Sequence, residues 1–258
     1  MNVTDFEKAQ GHWILAKMGK KVLRPGGREL TTKLIQGLNI NPKDDIAEFA
    51  PGLGFTANLT LQNHPHSYTG IDADENAVQR LQQKIKGTNV RFKLGNAANS
   101  ELPDGQLDKV YGEAMLTMHA DHRKSEIIRE AHRILKKGGL YAIHELGLTP
   151  EELSDEKKSE IQRELAVAIK VNARPLTVHE WKALLEKEGF KIKSTMTNPM
   201  HLLKTKRIIA DEGIFRFLKI SYNIMTTPAA RKRILEMAST FKKHQCHMNA
   251  VAIIAEKV

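Results

Sequence analysis

The chain has 258 residues, 41% of them hydrophobic and 27% charged, with a formal net charge of +10 at pH 7 and one cysteine, Cys246. That length and balance fit one large α/β domain, able to bury about 70–75% of its unfolded surface. They exclude a disulfide framework within the chain and a cysteine-based metal centre. No apolar run approaches the roughly 20 residues needed to span a bilayer. The N-terminal M-N-V-T-D-F-E-K lacks the basic region and apolar core of a signal peptide, so a cytoplasmic location is expected. A basic balance of this size favours nucleic acid, an anionic membrane surface or acidic small molecules as partners.

In chain order, the first 38 residues read as two helical pieces, 5–21 and 27–37, parted by the turn signal Arg24-Pro25-Gly26-Gly27. After a second turn at Asn41-Pro42-Lys43-Asp44, strands and helices alternate, the pattern of a parallel sheet with crossover helices. Strands are predicted over 45–50, 67–72, 90–94, 107–111 and 140–145, with helices over 56–62, 75–86 and 123–135. Ala77, Val78, Leu81 and Ile85 share one face of the second of these helices; Ile127, Ile128, Ala131 and Leu135 share one face of the third. Lys136-Lys137-Gly138-Gly139 supplies a cationic last turn and a glycine stop. Thr149-Pro150-Glu151-Glu152 starts a further helix that can reach residue 171. Thr177 caps another running to Lys187, with Glu180 in the capping-box position. A strand is predicted over 190–197, helices over 205–220 and 228–244, and a final strand over 248–258.

Chemistry concentrates in I-A-E-F-A-P-G-L-G over Ile46–Gly54, followed by Asp72 in Y-T-G-I-D. An apolar strand runs into a glycine-rich turn, and the next strand ends in an acid. Glycines let the backbone approach a nucleoside, and a carboxylate at the tip of the next strand can accept from two ribose hydroxyls. A pyrophosphate cradle wants G-x-G-x-x-G. Here an acid leads and the glycines crowd behind it, which suits a ligand without phosphate and with a cationic part.

This turn resembles motif I of the class I S-adenosylmethionine-dependent methyltransferases, an acid followed by G-x-G-x-G. Glu48 stands in the acid position, Gly52 and Gly54 match the second and third glycines, and Ala50 replaces the first. The resemblance continues through Gly95-Asn96-Ala97, L-P-D-G-Q-L-D-K-V-Y, R-E-A-H-R-I-L-K-K-G-G-L and R-P-L-T-V-H-E-W-K-A-L-L-E-K-E-G-F. It covers most of the chain after residue 40 and is similar above all to the ubiquinone and menaquinone methyltransferase-like small-molecule group. It implies a Rossmann-like, seven-stranded, mostly parallel sheet with helices on both faces and a helical lid. The expected organisation is a lid over 1–40, a cofactor-binding core over 41–200, a basic helical insertion forming a cap over 201–247 and a last core strand over 248–258.

The resemblance also implies residue roles. S-adenosylmethionine would pass Ala50, Gly52 and Gly54, with Glu48 orienting the turn or reaching the cofactor amine through water. Asp72 would hold the ribose diol, with Ile71 and Ala73 flanking sugar or base. Asn96 stands where the family often has Asp, and its amide can both accept from and donate to adenine; Ala97 would offer its backbone N–H. Glu113, in Y-G-E-A-M-L, would face the cationic end of the cofactor.

Methyl transfer from a sulfonium is an in-line displacement that needs chiefly alignment, and a base only where the nucleophile must lose a proton. His144 and His119 are the candidate acid, base or substrate contacts, with Glu145 and His122 nearby. Gly11-His12-Trp13 and Met18 lie on an N-terminal helix that can cover the acceptor. The insertion carries ten basic against three acidic residues together with many apolar ones, which suits an amphipathic cap, a cation-lined acceptor site, or a membrane or nucleic-acid face.

The expected function is methyl transfer to a small molecule, acidic or apolar, by a monomer or homodimer. An RNA or protein methyltransferase with the same cofactor and a non-catalytic nucleoside-binding protein are the alternatives. No Asn/Asp-Pro-Pro-aromatic tetrapeptide follows the fourth strand, and no RNA-binding module is appended, so nucleic acid is not the expected acceptor. A nicotinamide dehydrogenase is disfavoured by the absence of G-x-G-x-x-G. No metal is expected, because the close histidine pairs His64/His66 and His244/His247 lack acids at ligand spacing.

Overall fold

The computed structural model describes residues 3–258; Met1 and Asn2, part of the expected lid, lie outside the described residues. In chain order the elements are α1 (Val3–Lys8), α2 (Gly11–Lys17), α3 (Gly27–Leu38), β1 (Asp45–Phe49), α4 (Phe55–Leu61), β2 (Ser67–Asp72) and α5 (Glu75–Lys84). Then come β3 (Val90–Leu94), β4 (Leu107–Glu113), α6 (Asp121–Ile134), β5 (Leu135–Leu148), α7 (Asp155–Ile169), β6 (Leu176–Thr177) and α8 (Val178–Lys187). Finally β7 (Phe190–Pro199), α9 (Thr205–Glu212), α10 (Ile214–Thr226) and α11 (Pro228–Lys243) lead into β8 (Met248–Lys257).

The main strands lie in the order β3-β2-β1-β4-β5-β8-β7, with the short β6 paired to β5. β1 to β5 are parallel, and β8 runs antiparallel to both β5 and β7. Parallel strands are covered on both faces, which is why β1 reads as a nearly continuous apolar run buried from Ile46 to Phe49. Alternate side chains supply the two layers. Tyr141 and Ile143 of β5 pack with Ile127, Ile128 and Ala131 of α6 and Trp181 of α8. Ala142 packs on the other side with Leu30, Leu34 and Leu38 of α3 and Leu81 of α5.

A third apolar centre lies over the carboxyl end of β5. It joins Ile14, Leu15 and Met18 of the N-terminal segment to Leu146, to Ile161 and Leu165 of α7, and to Ile220, Ile234 and Met237 of the basic stretch. Polar contacts also stitch the N-terminal segment to α9. At the end of α9, Glu212 accepts the backbone N–H groups of Lys21 and Val22 at 2.7 and 2.8 Å, and Asp211 accepts that of Arg28 at 2.9 Å.

Several boundaries differ from the sequence reading. The helix predicted over 5–21 is two short helices. The helix predicted over 205–220 breaks at Gly213, whose φ of +80° favours glycine. The helix expected from Thr149 begins at Asp155, where the Ser154 side chain accepts the Lys157 N–H. β5 extends beyond 140–145 at both ends, because Leu135 already pairs with Leu107 and Leu148 pairs with Met248. The capping box at Thr177 and Glu180 forms as read.

Candidate active site

The turn after β1 takes left-handed backbone at Ala50, Gly52 and Gly54. Gly54 is required twice over: its φ is +77°, and a Cβ there would come within 2.5 Å of Leu81 Cδ2. Gly52 donates its N–H to Asp72 Oδ2 at 2.9 Å, which fastens the turn to the tip of β2. Asp72 Oδ1 accepts the Asp74 N–H at 3.0 Å. Each carboxylate oxygen keeps a further lone pair. Burial raises the Asp72 pKa, against the lowering effect of these backbone donors.

Glu48 lies behind this turn, not in it. It is 3% exposed and accepts from the Tyr68 and Tyr111 hydroxyls, the latter at 2.7 Å. Burial raises its pKa to about 7 despite those donors. The expectation that it reaches a ligand amine is therefore corrected in placement: its carboxylate belongs to the sheet interior.

Glu113, at the end of β4, is a hub. Its Oε2 accepts from the Arg24 guanidinium and the Thr56 hydroxyl; its Oε1 accepts from the Thr31 hydroxyl and from His144 Nδ1, both at 2.7 Å. Burial alone would raise its pKa, but Arg24 and the His144 hydrogen bond outweigh that and hold it at about 2. His144 has no exposed surface, and its other nitrogen faces the Pro25 carbonyl at 2.6 Å. The expectation that His144 meets an acceptor is thus corrected. With both ring nitrogens engaged, it ties the strap before α3 to Glu113.

Glu145 is likewise turned inward. It accepts the backbone N–H groups of Met115, Leu116 and Thr117 at 2.8–3.0 Å and the Thr117 hydroxyl at 2.7 Å, so it splints the loop after β4. His119 closes that loop and lines neither of the two cavities described next. His122 begins α6 and is exposed.

Two cavities meet at the carboxyl end of the sheet. One is a cleft of about 170 Å³ lined by Ala50, Pro51, Gly52, Leu53, Asp72, Glu113 and Met115, with Trp13, Lys21 and Arg24 from the N-terminal segment. The other, of about 80 Å³, is lined by Leu146, Leu165, Ile169, Ala173, Met200, Leu202, Met237 and Phe241, with Gly11, Leu15, Pro25 and Thr117. His12, Leu23, Ala114 and Met118 line both. Burial lowers the His12 pKa, partly offset by Asp74, so its ring is neutral at pH 7.

Of the expected cofactor residues, Ala50, Gly52, Asp72 and Glu113 thus share one cleft. Ile71 is 1% exposed and packs in the core, while Ala73 is exposed at the tip of β2. Asn96 is exposed beyond β3, its side-chain oxygen accepting from the Ala98 N–H and from Arg123 at 2.6 Å; Ala97 leans on the core. Arg24 and the shared wall at His12 were not singled out from sequence. Arg24 read only as part of a turn, and His12 only as part of a lid.

The expectation that His244 lacks acids is also corrected. Glu160 and Glu164 of α7 bring ligand atoms within 4.8 Å of it and of each other, but Lys243 already bonds Glu164 at 2.5 Å and pairs with Glu160 at 3.3 Å. Among the described residues, no helix is long and apolar enough to cross a membrane.

Comparison with known proteins gives the family. A family model described as a methyltransferase domain matches residues 46–139. An uncharacterized protein of Haemophilus influenzae is 33% identical over 251 residues, 96% of this chain and 98% of that protein. Phosphoethanolamine N-methyltransferase of Plasmodium falciparum is 21% identical over 174 residues, 67% of this chain and 63% of that enzyme, so the match spans less than two thirds of its length. The solved structure of Haemonchus contortus phosphoethanolamine N-methyltransferase 2 in complex with S-adenosyl-L-methionine shares the fold, with a TM-score of 0.70 at 16% identity over 95% of this chain and 56% of that one. With the glycine turn, the acidic strand tip and the strand order all in place, the chain belongs to the class I S-adenosylmethionine-dependent methyltransferases, enzymes whose cofactor is S-adenosylmethionine.

Proposed function

We propose that this enzyme methylates a small, largely apolar acceptor held in the cavity beneath α2 and α11, with the cofactor in the adjoining cleft. The observation that carries the reading is the shared wall at His12, Leu23, Ala114 and Met118. Because these residues border both cavities, the two spaces adjoin, the arrangement that an in-line displacement between two ligands requires.

The cleft fits the cofactor. Asp72 keeps free lone pairs for a diol, Gly52 has open space where a Cβ would stand, and Arg24, held by Glu113, lines the cleft as a cation for the carboxylate of an amino acid end. The cofactor supplies an electrophilic methyl group on a sulfonium. The chain's residues do the rest. Asp72 and the Gly52 turn fix the nucleoside end, Trp13 and Met118 help exclude water, and the Glu113–His144–Pro25 chain holds the lid strap in place. Beyond β3, exposed Asn96 and half-buried Ala97 edge the base.

The acceptor cavity contains no carboxylate, lysine or arginine among its lining residues; His12 and Thr117 are its polar side chains. A phosphate ester held there would lack charge-assisted partners, which sets this cavity apart from a phosphoethanolamine site. For an O–H or N–H acceptor, neutral His12 is placed to take the proton. An RNA acceptor is disfavoured by the same small apolar space.

The test is calorimetric titration with S-adenosylhomocysteine, with NAD as control, followed by an acceptor screen. Micromolar binding of the first alone, and turnover confined to apolar hydroxyl or amine compounds, is the expected result. Turnover of phosphate-bearing compounds with apolar ones inert would overturn the acceptor assignment.

A further inference from the structure

We infer that α10 is a docking helix for the surface of an anionic lipid bilayer. The inference does not depend on the acceptor assigned above. It starts from residues on one helix face: Ile214, Phe215, Leu218, Tyr222 and Met225 are 50%, 86%, 57%, 67% and 70% exposed. At about 100° per residue these five fall within an arc of about 100°. Buried Ile220 and partly buried Phe217 and Ile224 fall on the opposite side, where the Asn223 amide also bonds the Met18 carbonyl at 3.0 Å. The helix therefore has an inner apolar face packed on the lid and a second, outer apolar face with nothing packed on it. Scattered exposed apolar residues are ordinary, but a contiguous stripe marks an interaction surface.

Charge selects the occupant. Beside the stripe lies exposed Lys219; the neighbouring turns add exposed Lys204, Lys206, Arg231 and Lys232, while Arg216 pairs with Glu212 at 3.6 Å. The acids of this region do not balance them outward. Asp211 and Glu212 have side chains 1% exposed and face Lys20 and the strap backbone, and Glu236 pairs with Arg233. A symmetric pairing of two copies through this face would set cation against cation on chains already carrying +10. An anionic bilayer answers both features: it takes large apolar side chains into the headgroup boundary and pairs with the basic flank. Nucleic acid would answer only the charge.

Since α10 packs on Met18 just after α2, the docked face lies on the segment that covers both cavities. A bilayer-held apolar compound would then enter beside the lid.

The experiment is co-sedimentation of the full chain with vesicles of phosphatidylglycerol and phosphatidylcholine, against pure phosphatidylcholine, at low and high salt. The expected result is pelleting with the anionic vesicles, weakened by salt. Phe215→Asp/Met225→Asp should bind at least tenfold more weakly, and Lys219→Glu severalfold more weakly. Both sites are exposed, so the melting temperature and S-adenosylhomocysteine affinity should stay at the parent values, which separates failure of docking from failure of the cofactor site. Wild-type protein remaining in the supernatant with anionic vesicles would overturn the proposal, as would equal pelleting of the double variant. A dimer in sedimentation velocity that the double variant abolishes, without vesicle binding, would assign the face to a second copy instead.

Discussion

The proposed cofactor cleft and the proposed acceptor cavity lie on either side of His12, yet they are built by different means. The cleft carries most of the charged side chains, among them Arg24, Asp72 and Glu113. Its working groups sit at the carboxyl ends of β1, β2 and β4, fastened by backbone hydrogen bonds such as Gly52 N–H to Asp72. The cavity is apolar and assembled at a distance, from β5, α7, α11 and the N-terminal segment. One lesson follows: a binding site made of backbone geometry tolerates few changes, whereas one made of packed apolar side chains can change its ligand while the sheet beneath stays the same.

Four measurements sharpen or break this contrast. The largest effect is expected where the two halves are tied together. Glu113→Ala leaves the Arg24 cation and the His144 ring without their shared acceptor, and removing one partner of a buried pair costs about 3–5 kcal/mol. Denaturant unfolding checks it; a loss below about 1 kcal/mol would mean that the hub is not what holds the strap.

Next comes a pH effect confined to the cleft's foundation. Glu48 has a folded-state pKa of about 7, above the ordinary 4.5, so the fold favours its protonated form. Its contribution is fully present below pH 4.5 and is lost as pH rises through 7, on the order of 3 kcal/mol in all. Glu113 has the opposite sign: held at about 2, it stabilises above pH 4.5 and loses that as pH falls toward 2. Stability should therefore decline between pH 5 and 8, and Glu48→Gln should flatten that slope. Melting curves of both proteins across this range decide the matter.

On the acceptor side, His12→Gln should lower turnover of an O–H or N–H acceptor about a hundredfold, as loss of a general base does, or ~2.7 kcal/mol. S-adenosylhomocysteine affinity should stay within about twofold. Equal loss of both would show that the wall belongs to the cleft alone. Asp72→Ala carries the smallest expected change, about tenfold in S-adenosylhomocysteine affinity or ~1.4 kcal/mol, without unfolding. An unchanged affinity would remove Asp72 from the ribose.

The glycine turn and the acidic tip of β2 were legible in sequence because they are contiguous and their chemistry is backbone chemistry. Gly54 has a φ of +77°, which favours glycine whatever surrounds it. His144 was misplaced for the converse reason. The end of a strand is visible in sequence, but the partners of its ring come from residues 25 and 113. Glu48 shows the same limit: the motif marks an acid, and only the tyrosines of β2 and β4 show that it faces inward.

By itself, then, the sequence determined the alternation of strands and helices, the nucleoside-binding turn and the capping box at Thr177, all set by hydrophobic period and local backbone preference within a few residues. Tertiary structure alone decided the antiparallel placement of β8 between β5 and β7, the gathering of His12, Met118 and Met237 around one cavity, and the outward stripe of α10. Each depends on which apolar faces find one another across many residues, and a face left without a partner is visible only once the others have been matched.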